Sequence, residues 1–133
     1  MGSFTFAFLA AEMVHELGHF LAHLFYETPG IGIHLDPFGG SRITGVNSLP
    51  QESIGVTTAA GPALSLLGGL SLFLALSKSR SPILFPFLLW APIALVQEGV
   101  NFSMGLLSPG SDADWLVDIG VPSAFLLILG IIL

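Results

Sequence analysis

Cysteine is missing from all 133 residues. Its absence excludes a disulfide framework and thiolate chemistry, so a bound metal would have to be held by histidine and carboxylate. Basic residues are nearly as scarce. Arg42, Lys78 and Arg80 are the whole set, and the formal net charge is −6. Binding nucleic acid takes a basic face, which this chain cannot supply. Charge of either sign is thin: 9% of residues, against roughly 25% in a soluble domain. Apolar residues fill the gap. Hydrophobic side chains make up 53% of the chain, and many of the 16 Gly and 9 Pro lie inside apolar runs, as membrane helices tolerate. So apolar a core would have too little polar surface to cover it in water. The composition predicts an integral membrane protein, with residues 1–133 forming one domain. The first apolar stretch does not read as a signal peptide. No basic residue precedes it, and Glu12, His15, Glu16 and His19 interrupt it, so it is expected to persist as a helix.

Spanning a bilayer as a helix takes about 20 mostly apolar residues. Four segments qualify, near residues 3–26, 53–77, 82–107 and 115–133. The expected fold class is therefore all-α, with about four transmembrane helices. Between the first and second lies a Gly- and Pro-rich stretch with the short runs "IGIHL" and "RITGV". These suggest a small β-hairpin-like loop, partly sunk into the membrane where protein covers its backbone. The second segment carries Ala59, Ala60, Gly61, Ala63, Gly68 and Gly69, small residues that let membrane helices approach closely.

The chemistry concentrates in "EMVHELGHFLAHLFYE", residues 12–27. His15 and His19 sit four apart, so on a helix they share a face, about 6 Å apart along the axis. Two imidazoles so placed can bind one zinc ion. Glu16, one step round, is displaced from the ligand row but positioned to take a proton from a water held there, which is the logic of a His-Glu-x-x-His motif. The competing reading is a pair of core histidines bonded to backbone. Position weighs against it: ionisable groups at the centre of a membrane helix cost about 2.5–3.5 kcal/mol each and are functional by default. His23 continues the spacing but lies about 12 Å along the axis from His15, too far to share an ion. His34 and Asp36 on the hairpin read as solvated loop residues.

A catalytic zinc keeps three protein ligands and one open position. Topology returns the end of the third segment to the side of the membrane where the first one ends. Asp112 and Asp114 in "SPGSDADW", and Glu98 within the third segment, can each reach inward, with Gln97 and Asn101 in the same band. Spacing alone does not choose among the three carboxylates. The plainer readings are an N-cap for either aspartate and, for Glu98, a protonated interhelical hydrogen bond.

Together these residues resemble the site-2 protease family of intramembrane zinc metalloproteases, over most of the chain. "HELGHFLAH" is similar to the family's first core helix, with His15, Glu16 and His19 as ligand, base and ligand. "AAGPALS" is similar to its second, whose Ala-Gly-Pro stretch sits beside the site. "NFSMGLLSPGSDADW" stands where the family has an Asn, then Pro residues, then Leu-Asp-Gly with the Asp as third ligand. The resemblance implies one Zn²⁺ per chain held by His15, His19 and Asp112, with substrate-binding roles for Gly61, Pro62 and Asn101. It also implies a catalytic core without accessory domains and a metal site near the cytosolic face. Arg42 would then lie inside, whereas counting Lys78 and Arg80 points the other way.

The activity so implied is hydrolysis of a peptide bond within or near a transmembrane segment of a membrane-protein substrate. The expected partners are that substrate helix and membrane lipid, and the oligomeric state is not legible. The rival is a non-catalytic membrane metal-binding protein, either a pseudoprotease or a small metal carrier. Its support is the additional His23, His34 and Glu98, Ala113 where the family has Gly, and the long gap from Asn101 to Asp112.

Overall fold

The computed structural model describes residues 2–36, 41–45 and 51–133, and the side chains of residues 51 and 52 are left aside. The tip of the expected hairpin (37–40) and the approach to the second helix (46–50) lie outside the described residues. The chain is mostly helical. Helix α1 (Gly2–Phe25) leads into strands β1 (Gly32–His34) and β2 (Arg42–Thr44), followed by the long helix α2 (Gln51–Leu76). A 3-10 turn (Pro82–Leu84), a single helical turn α3 (Phe85–Leu88), α4 (Trp90–Met104) and a second 3-10 turn (Gly105–Leu107) continue into α5 (Asp112–Asp118) and α6 (Ser123–Ile132).

Helix α1 ends in a Schellman motif. Glu27 takes a left-handed conformation (φ 53°), Thr28 N–H donates to His23 O and Glu27 N–H to Leu24 O, both at 3.0 Å. The turn reverses the chain into β1, which pairs antiparallel with β2 in the register Ile33–Ile43 and His34–Arg42. The expected hairpin is present.

Close backbone approach holds the helices together. A Cβ on Gly18 would strike the Ala60 carbonyl, so α1 and α2 meet almost backbone to backbone. Gly69 lies against Trp90 and Ala91 where α2 meets α4, and Gly99 and Gly130 face each other where α4 meets α6. This is the packing that small residues permit between membrane helices. Polar groups share the interior with apolar ones such as Ala11, Ala94, Phe102 and Leu126, and many large apolar side chains lie on the surface. His15, Glu16, His19, Ser53, Ser65 and Glu98 are buried, while Phe4, Leu67, Leu74 and Ile131 are more than half exposed.

Two helical runs, Ser53–Leu76 and Pro82–Leu107, are long and apolar enough to cross a membrane, with mean hydropathies of 1.8 and 1.7. The expectation of four such helices is corrected at two places. Helix α1 has the length, but its histidines and glutamates make it too polar to rank with these two. The fourth segment is not one helix. Gly120 (φ 100°) closes α5 in a second Schellman motif, with Val121 N–H on Leu116 O at 3.0 Å and Gly120 N–H on Val117 O at 2.9 Å, and Pro122 then caps α6. Residues 115–133 are continuous in hydropathy but broken in backbone, and α6 alone is 10 residues long.

Candidate metal centre

Helix α1 presents His15 and His19 one turn apart on its buried face, and each ring is fixed through Nδ1. His15 Nδ1–H donates to Glu98 Oε1 on α4 at 2.8 Å. His19 Nδ1–H donates to the backbone carbonyl of Thr57 on α2 at 2.7 Å. A carbonyl can only accept, so a neutral His19 ring carries its proton on Nδ1; with Glu98 as the acceptor the neutral His15 ring does the same, and the two Nε2 atoms face each other at 3.0 Å. Asp112 closes the triangle: Oδ2 lies 3.1 Å from His15 Nε2, and Oδ1 lies 3.4 Å from His19 Nε2. Two imidazole nitrogens and two carboxylate oxygens at these separations repel one another unless a positive charge, a shared proton or a metal ion, sits among them. A tetrahedral ion with bonds of ~2.0–2.1 Å sets its ligand atoms roughly 3.3–3.4 Å apart; here the nearest contacts are 3.0–3.4 Å, made with different oxygens of Asp112, and one ligand atom from each residue lies within 4.8 Å of the others. Among the described residues, His15, His19 and Asp112 are the cluster that could hold a metal ion.

Local structure aims Asp112. Gly110 (φ 80°) turns the chain, and Ser111 caps α5 by accepting from Asp114 N–H at 3.1 Å while its hydroxyl donates to Gly105 O at 2.7 Å. Asp112 is then the first residue of α5, and Asn101 Nδ2 donates to its Oδ2 at 2.9 Å. Burial opposes ionisation of Asp112, but its contacts to His15 and His19, where a proton is shared in the absence of an ion, outweigh it and hold the carboxyl well below the usual carboxylate range.

The alternatives left open by spacing now separate. Asp112 joins both histidines. Asp114 accepts from Gly110 N–H at 2.7 Å and braces the turn instead. Neither aspartate is the N-cap, which is Ser111. Glu98 is fully buried and bonds the far side of the His15 ring. Gly61 lies where any Cβ would strike the His19 ring, so the position has to be glycine to seat that ring. Gly61 and Pro62 are buried and are not among the residues lining the cavity described next. His34 pairs across the hairpin from Arg42 and is not among the residues lining that cavity.

The cluster opens onto a cavity of about 890 Å³. Glu16, His23 and Asn101 share its wall with the three cluster residues, and Arg42 and Ile43 of β2 form part of its rim. Glu16 is 6% exposed and has no hydrogen-bond partner among the described residues, so its carboxylate is available to whatever enters. Two contributors are absent from the reading of the sequence. The Thr57 carbonyl is backbone and carries no signature. Ser111 was findable, because Ser-x-x-Asp ahead of a helix is a cap pattern.

Compared with protein-family models, with curated proteins and with solved structures, the chain matches none.

Proposed function

We propose that this chain is an intramembrane zinc metalloprotease of the site-2 protease kind, hydrolysing a peptide bond within or near a transmembrane segment of a membrane protein. One observation carries the reading. The Nε2 atoms of a His-Glu-x-x-His helix converge with an aspartate from a distant turn, in a cavity that the intervening Glu16 also lines. Two imidazole nitrogens and one carboxylate form a donor set that favours zinc, with a fourth position left for water or substrate. When bound, zinc supplies the Lewis acidity that makes water a nucleophile near neutral pH.

The chain's own residues do the rest. His15, His19 and Asp112 hold the ion. Glu16 takes a proton from the attacking water and returns it to the leaving amine. Asn101 faces the same cavity and steadies Asp112. Strand β2, with Arg42 and Ile43 on the rim, offers backbone partners to a substrate that has unwound from its helix. The membrane setting is supported by the two spanning-length helices and by the many large apolar side chains left exposed on the surface. In this reading α1 and the α5–α6 pair complete the bundle, and the hairpin and cavity lie on the cytosolic side.

The rival, a non-catalytic metal protein, is favoured by one feature: His23 and Glu12 extend the polar lining beyond what hydrolysis uses. Substituting Glu16→Gln separates the two. The purified, detergent-solubilised variant should keep about one zinc per chain and lose cleavage of a panel of transmembrane peptides that the wild type cuts, with products read by mass spectrometry. Cleavage retained by the variant would end the protease reading.

A further inference from the structure

Glu98 is one of the largest fully buried side chains in the molecule, at 0% exposure, and it is acidic. Both of its oxygens are engaged. Oε1 accepts from His15 Nδ1–H at 2.8 Å, and Oε2 lies 3.5 Å from Asn101 Nδ2. Asn101 in turn donates to Asp112 Oδ2 at 2.9 Å. Glu98 and Asn101 are three residues apart, so they stand on one face of α4. That helix provides no member of the ligand triangle, yet through these two side chains it touches two of the three. Among the described residues, the ion-pair partner found for Glu98 is His15 itself.

We infer that Glu98, with Asn101 beside it, is a positioning residue of the metal centre, holding His15 through its far nitrogen and Asp112 through the Asn101 amide. The inference rests on the proposed metal centre. A carboxylate on Nδ1–H fixes the tautomer, stops the ring from rotating and makes Nε2 a better donor, and such outer partners typically govern metal affinity by 10–100-fold. A hydrogen bond serving only to join α1 to α4 would be satisfied by any donor along the interface. Here the donor is the ring whose opposite nitrogen points into the triangle. Asn101 adds a second constraint: it couples the carboxylate orienting His15 to the carboxylate that would itself bind the ion.

The test is zinc affinity of the purified full chain in detergent, by competition with a chelating dye, for wild type, Glu98→Gln and Glu98→Ala. The visible spectrum of each Co²⁺-loaded form is recorded alongside. The Ala variant should lose roughly 10–100-fold in affinity. The Gln variant should lose less, because its amide oxygen still accepts from Nδ1–H. The Co²⁺ band should keep its tetrahedral intensity and shift in energy, since the ligand set survives while one ligand becomes a poorer donor. Affinities of both variants within about twofold of wild type, with unmoved spectra, would overturn the inference while leaving the metal centre standing. If the Ala variant does not fold, the Gln variant decides alone by the same criteria. Collapse of the tetrahedral band would make Glu98 a ligand and overturn the positioning role. A wild type that binds no stoichiometric zinc or cobalt would end the proposed function, and this inference with it.

Discussion

Helices α4 and α5 each have two faces, and the two behave as different materials. One face carries Glu98, Asn101 and Asp112, joined by hydrogen bonds of 3.5 and 2.9 Å. The other carries Phe102, Ala113 and Leu116, which pack with Leu126 of α6 into an apolar cluster. The faces are adjacent in sequence: Asn101 precedes Phe102 and Asp112 precedes Ala113. Precision on the polar side thus depends on close packing on the apolar side, because the backbone that aims Asp112 is seated by Ala113, which has no exposure at all. The polar side specifies chemistry, and the apolar side specifies where that chemistry is held.

The comparison can be broken first at the ligand. Replacing Asp112 with Ala removes one of three arms and should abolish stoichiometric zinc in the purified protein, measured by elemental analysis, while far-ultraviolet circular dichroism still reports a helical protein. Zinc retained at wild-type stoichiometry would show that the polar face does not need this residue. A smaller effect is expected from Gly61→Ala, which leaves every ligand in place but pushes a methyl group into the His19 ring. Zinc affinity should fall by about tenfold or more, in line with disturbing a ligand's support. An unchanged affinity would mean that the ring has room to move. The smallest effect on metal is expected from the apolar face. Leu126→Ala should cost about 2–5 kcal/mol of stability, read as a lower melting temperature, with the zinc affinity of the folded protein close to wild type. A loss of affinity as large as that of Asp112→Ala would show the two faces to be one unit.

Much of this was legible in the sequence, for reasons that differ by element. The His15–His19 pair could be read because helical periodicity converts spacing into direction, and the hairpin because Gly and Pro punctuate it. Asp112 could be narrowed to three carboxylates by topology and singled out only through resemblance, since depth estimates along a helix do not say which way a loop residue turns. The backbone decided that, through Gly110 and the Ser111 cap. Glu98 was recognised as a polar residue at the right depth but not as the partner of His15 Nδ1, because a sequence does not distinguish the two sides of an imidazole. The fourth segment was misjudged because hydropathy measures transfer and ignores conformation. The signals "Gly120, Pro122" were present in "DIGVPSA" and outweigh an apolar average.

The triangle of His15, His19 and Asp112 has a further consequence, in chain topology. A metal bound there would tie the N-terminal helix to a turn near residue 112, closing a loop around most of the molecule. Cross-links that close long loops remove the most freedom from the unfolded chain. A chain with no cysteine has no disulfide with which to do this. The same three side chains that would polarise a substrate would thus also serve as its staple, so removing the ion would take away the chemistry and lower the stability of the fold together.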